Sequence, residues 1–275
     1  MSETQKQIDT EVPAYAATPA PATAPPAEPA RLNAVQRLTG TLFTPGETFK
    51  DVNRKPTIIV PIVLGMILAV AGGLFFNWKV KPDWDRIFRA QIQKRAERSG
   101  QSATPEQTEQ QVEFSKKLVP IFPVIGAVFT PIAYLIIAGV FALGMILIQA
   151  KTTFKKILSV VSWSYTATAL IQSLVFIAVV LVQDQETLNS IDPTQGVNIV
   201  PSNAGAFLPT GSSGAMQALA SSLDLFSIWY LVLLAIGLAA IAGSKKITPK
   251  KTGGMVFGIW VVFVLVKVGW RALFG

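Results

Sequence analysis

The side chains able to do chemistry are few and are placed where water is scarce. Ser159, Ser162, Tyr165, Thr166, Gln172 and Ser173 recur at helical spacing along an uncharged run over 157–183, with Ala169 filling the gap. In hydrocarbon such groups must face protein or water, because lipid offers them no partner. Two uses follow: hydrogen bonds between helices, or the wall of a polar pathway or pocket. Asp224 stands where a later apolar run begins, with Trp229 and Tyr230 one to two turns on. An acid there caps a helix N-terminus and complements its dipole, or else serves a partner or solute. Asp184, Glu186 and Asp192 share a loop, and acids spread that widely read as solvated groups before they read as a metal site.

Other chemistry is excluded by what is missing. The chain has no Cys and no His, which removes thiol nucleophiles, imidazole bases and nearly all zinc, copper and haem ligation. No ionisable residue lies in the middle of an apolar run, which counts against proton-coupled carriers, ion pumps and voltage sensors. No Gly-rich phosphate loop precedes a helix. The serines at 157–183 have no His, Lys or Asp beside them to activate a nucleophile. The expectation is a non-enzymatic protein without cofactor or metal.

The elements that must position these groups are membrane helices. Runs over 56–78, 118–150, 157–183 and 225–244 carry no charge, and 252–266 is a shorter fifth. A spanning helix needs about 20 apolar residues, because every backbone N–H and C=O must be bonded within the segment. The fold class is therefore all-α: a polytopic integral membrane protein with spans near 57–77, 124–149, 157–182, 224–243 and 253–270. The second run, at 33 residues, is too long for its task. Pro120, Pro123 and Pro131 in its first half predict a break before the true span.

Ahead of the first span, residues 1–30 hold six Pro and eight Ala, too little bulky apolar surface to offset ordering entropy, so a disordered cytoplasmic tail is expected. The membrane domain then occupies 31–275. Leu32, Val35, Leu38, Leu42 and Phe43 fall on one side of a short amphipathic helix, with Arg31, Asn33 and Arg37 away from it, suited to the headgroup layer. Thr44-Pro45-Gly46-Glu47 reads as a capping box with Pro at the first helical position. A second short helix carrying Phe49 and Val52 follows. Residues 79–117 read as a helical hairpin capped at Asp83 and Thr104, and 184–223 as a loop. Small residues at spacing four (Gly65, Ala69, Gly73; Ala235, Ala239, Gly243; Gly254, Gly258) let helix backbones approach, within the bundle or, alternatively, in a homo-oligomer.

The net charge of +8 is gathered in juxtamembrane clusters, which set topology and touch anionic lipid and argue against a nucleic-acid partner. Basic loops at 151–156 and 245–251, the non-basic loop 184–223 and the basic N-terminal flank agree on a cell (inner) membrane protein with its N-terminus cytoplasmic and its C-terminus outside. The hairpin 79–117 goes against this, since its nine basic residues, offset by six acids, fall on the outer side. Lys267 and Arg271 beside Trp270 would snorkel to the outer interface.

Leu42-Phe43-Thr44-Pro45-Gly46-Glu47-Thr48-Phe49 ahead of the first span, and Asp224-Leu225-Phe226-Ser227-Ile228-Trp229-Tyr230 running through Gly237-Leu238 to the Lys245-Lys246 turn, resemble the bacterial branch of the Yip-one (Ypt/Rab-interacting protein) domain family. The resemblance covers 35–275. It implies a five-span, non-enzymatic membrane protein that recruits membrane or cytoplasmic proteins, as eukaryotic relatives bind small GTPases in vesicle traffic. The Asp-Leu-Tyr-Gly-Pro signature of those relatives is absent here. A small-solute permease built on the polar face of the third span is the alternative.

Overall fold

The computed structural model describes residues 32–100, 104–190, 199–209 and 211–274; the Pro/Ala-rich tail at 1–30, Arg31 and Asp192 lie outside them. Among the described residues the protein is helical, with one isolated antiparallel bridge, Asn203 to Asp224. The helices are α1 (Ala34–Phe43), α2 (Pro45–Arg54), α3 (Ile59–Lys79), α4 (Trp84–Ser99), α5 (Pro105–Leu118), α6 (Phe122–Leu147), α7 (Phe154–Val182), α8 (Gln185–Ser190), α9 (Gly214–Ser222), α10 (Leu225–Ile241) and α11 (Pro249–Phe274).

Four helical segments are long and apolar enough to cross a membrane: α3, the α5–α6 segment, α7 and α11. The break expected in the second run is a 3-10 turn at Val119–Ile121, after which α6 continues through Pro131. The fifth apolar helix, α10, has 17 residues, about 26 Å at the standard rise. It packs along α7 from that helix's start to about the level of Gln172. At one end Lys151, just before α7, donates its backbone N–H to Ala242 O (2.9 Å), and at the other Asn203 bridges Asp224.

The first half of α7 is the centre of the bundle. Ile157, Leu158, Val160, Val161 and Trp163 are buried against α6, α10 and α2. Elsewhere the spans turn Ile, Val, Leu and Phe outward, which suits helices whose outer solvent is lipid. Glycines mark the closest approaches. A Cβ at Gly73 would lie 2.7 Å from Pro123 Cβ, and one at Gly237 would lie 2.5 Å from Val160 Cγ1 and 3.1 Å from Phe49. Gly254 and Gly258, expected to pack inside the bundle, instead face outward with nothing within 4 Å of a Cβ.

Several local expectations are corrected. Arg37, expected away from the apolar side of α1 and in water, is 3% exposed, whereas Val35 and Phe43 of the apolar side, expected in the headgroup layer, are 69% and 77% exposed. The reversal has a cause in sequence-distant Asp51, which receives the guanidinium. Thr44 makes no side-chain cap to α2; the capping box forms one helix earlier, between Asn33 and Gln36. The loop 184–223 is partly helical, and α9 packs on α11. Lys267, rather than reaching only for the interface, donates to Ser221 Oγ and Ser222 Oγ of the α9 end, both at 3.1 Å. The hairpin matches: Asp83 and Thr104 cap α4 and α5, Gly100 ends α4 with positive φ, and Phe88 packs with Val112 and Trp84.

Candidate functional site

Two assemblies emerge, one at the start of α7 and one along its middle. The first is a platform. Arg37 Nε and Nη2 donate to Asp51 Oδ2 (2.9 and 2.7 Å), and Nη1 donates to Lys55 O (3.0 Å) and Thr57 Oγ1 (2.7 Å). The backbone of Thr57 accepts from Ser159 Oγ, and its hydroxyl from Trp163 Nε1. One buried guanidinium thus joins α1, α2, the connection to α3 and, through Thr57, the first turns of α7. A paired, hydrogen-bonded buried charge fixes geometry, because any displacement strands it in low dielectric. Phe49 completes the seat, fully buried against Gly237 and Val160.

What the platform shows outward is chemically mixed. Val35, Thr39 and Phe43 share its free face, and Pro45 and Glu47 lie at its corner. Glu47 binds Lys50 Nζ at 2.7 Å, and that hydrogen bond, with the ammonium charge, lowers its pKa. Lys55, Lys151, Lys155, Lys245 and Lys246 are exposed at the same end.

The second assembly is a cavity of about 510 Å³ between α3, α7, Thr130 of α6 and the returning segment 199–203. That volume lies in the range of about 300–1,000 Å³ typical of ligand pockets. Its floor is Gly65, Ala69 and Gly72, and its polar wall is Tyr165, Gln172 and Ser173. Asp224 enters from the start of α10. Its Oδ1 accepts the Ser227 N–H at 2.8 Å, capping α10, while Oδ2 accepts a short hydrogen bond from Ser202 Oγ. Toward the outer mouth Phe76 and Phe176 lie 6.3 Å apart.

Below the cavity sits a tyrosine cluster. Tyr165 packs against Tyr134 (5.1 Å) and, edge to face, against Tyr230 (5.7 Å). Thr166 Oγ1 donates to Pro61 O at 2.8 Å, so Tyr134, 3.2 Å away, is the donor to Thr166. A Cβ at Gly65 would meet the Tyr134 hydroxyl at 2.5 Å, so only glycine permits this crossing.

The residues singled out in the sequence therefore divide. Tyr165, Gln172 and Asp224 come together in the cavity. Ser162 and Thr166 are buried and spend their hydroxyls on Ser159 O and Pro61 O. Trp229 faces outward, 43% exposed. Asp184 caps α8 through Thr187, which lowers its pKa through the backbone and hydroxyl hydrogen bonds. Thr130, Ser202, Asn203, Phe76 and Phe176 were missed. Only the return of 199–203 onto α10 brings Ser202 and Asn203 there, and no local pattern announces it.

A family model described as the Yip1 domain matches residues 39–271. Membrane protein YknW of Bacillus subtilis (strain 168) is 26% identical over 230 residues, covering 83% of this chain and 88% of that protein. No solved structure matches.

Proposed function

The chain belongs to the Yip1 domain family, and on that premise we propose that it is a non-enzymatic scaffold that recruits a protein partner in the cell membrane, its N-terminus cytoplasmic. One observation carries this reading: an apolar edge, Val35 and Phe43, is held outward on a platform that a buried ion pair keeps in place. Large apolar groups held outward together and rimmed by polar residues mark an interaction surface. The lysines around it, at the end shared by loops 148–153 and 242–248, support the cytoplasmic placement.

The test is a photoreactive amino acid placed at Val35 or at Phe43 in living cells. A single protein adduct, lost on Phe43→Asp while the chain stays in the membrane, supports recruitment. Adducts with lipid alone would make α1 an interfacial anchor and remove the scaffold reading.

A second reading, a small-solute permease, is favoured by the cavity on the polar face of α7. It predicts solute flux in proteoliposomes that Gly72→Leu blocks, since a side chain there projects into the open cavity.

A further inference from the structure

We propose that the cavity binds an organic ammonium compound, with Asp224 as its counter-ion. The proposal rests on the second reading only in requiring a ligand site there, and it needs no transport.

Depth comes first. Tyr230 is six residues into α10 from Asp224, about 9 Å along the axis at the standard rise, and its ring meets Tyr165. Gln172 is seven residues beyond Tyr165 on α7, about 10 Å. Asp224 and Gln172 therefore lie at similar depth, facing one cavity, with Phe76 and Phe176 outside them and Tyr165 below.

Charge is the second argument. Among the described residues no Lys or Arg pairs with Asp224, and no residue lining the cavity is basic. The Asp224 carboxylate has two hydrogen bonds, from Ser227 N–H and Ser202 Oγ–H, yet a carboxylate offers about four acceptor sites. The positive end of α10 offsets about half a charge. A net negative site remains beside a low-dielectric wall, where a cation is attracted and an anion is repelled.

Surroundings select the kind of cation. A bare metal ion wants several oxygen ligands at close range, most of them charged, and here a single carboxylate is accompanied only by neutral oxygens, with Leu68, Phe76 and Phe176 making up much of the remaining wall. An ammonium group on a carbon body uses all of them. Its N–H groups or charge meet Asp224 and the Gln172 amide oxygen, and its body lies against Phe76, Phe176 and Leu68. Aromatic faces add attraction to such cations.

The experiment uses the full chain in phosphatidylcholine nanodiscs, with phenethylammonium and its neutral counterpart phenethyl alcohol as probes, read by saturation-transfer NMR titration. Wild type should bind the cation tighter by about tenfold, the scale of one charge-assisted hydrogen bond. Asp224→Asn, which keeps a side chain able to cap α10, should remove that preference, bringing the two probes to similar affinity. Gly72→Leu should remove both. Equal binding of the two probes to wild type, or a preference that survives Asp224→Asn, overturns the ammonium assignment while leaving a ligand cavity. No binding of either probe, or binding indifferent to Gly72→Leu, overturns the ligand cavity as well.

Discussion

Arg37 and Asp51 meet at 2.7 Å with each side chain under 5% exposed; the pair joins α1 to α2, and the same guanidinium ties both to the membrane bundle through Thr57. Removing one partner leaves the other charged and buried, which typically costs about 3–5 kcal/mol. Arg37→Ala should therefore lower the melting temperature in detergent sharply and increase proteolysis of α1. The double variant Arg37→Met with Asp51→Leu should recover much of the loss, because two apolar groups leave no stranded charge. A double variant no better than Arg37→Ala would mean that the bonds to Lys55 and Thr57 matter more than the pair.

The same pair shows where sequence reading stops. The spans were legible because lipid forces backbone bonds inside each helix, and an uncharged run over 157–183 admits little else. Orientation within α1 was not. Periodicity allows either face to be buried, and the usual rule that arginine faces water chose the wrong one. The partner that overrides the rule lies 14 residues away in another helix. The cavity was half legible: Tyr165 and Gln172 announced a polar face on α7, but Asp224 joins them only through the packing of α10 on α7, and Ser202 and Asn203 only through the return of 199–203. Thr44 failed as a cap because its hydroxyl lies against Gly40 O of the preceding helix.

Small residues on α3 have separate duties, and substitution should tell them apart. Gly73 touches Pro123, so Gly73→Leu must push α3 from α6, a strain that typically costs about 1–3 kcal/mol. Gly72→Leu, with open space beyond its Cα, should leave stability near wild type. Equal melting temperatures for the two variants would show that α3 and α6 do not pack as closely as described.

Topology can be read with introduced cysteines, since the chain has none of its own. Ser212→Cys and Thr108→Cys should react with an impermeant thiol reagent in intact cells, and Thr248→Cys should react only after lysis. The α5 position matters most, because its basic hairpin runs against the charge rule. Protection of Thr108→Cys with labelling of Thr248→Cys would invert the orientation.

The hairpin's own contacts give a pH dependence. Asp85 accepts from Arg89 Nε at 2.6 Å and from Lys116 Nζ at 3.2 Å, and these hydrogen bonds, Arg89's first, lower its pKa. A carboxylate depressed by folding contributes above its ordinary value of about 3.9 and loses the contribution as pH falls through the lower folded value. Amide protection in α4 and α5, taken relative to the intrinsic exchange rate at each pH, should therefore fall selectively below about pH 4, and Asp85→Asn should flatten that change. Because the pair is partly exposed, high salt should mute it. An identical acid profile in Asp85→Asn would assign the effect to another carboxylate.

Asp224 serves α10 whatever else it binds, and stability measurements isolate that share. Its Oδ1 holds the Ser227 N–H, a bond Asn can replace and Ala cannot. Losing a cap of this kind costs about 0.5–2 kcal/mol. Asp224→Asn should melt within a degree or two of wild type, whereas Asp224→Ala should melt lower and leave Ser202 without its acceptor. Differential scanning calorimetry of both variants in one detergent reads the contrast directly. If Asp224→Asn is as unstable as Asp224→Ala, the carboxylate charge itself supports the fold, through the helix dipole and Ser202, and capping alone does not account for its place at the start of α10.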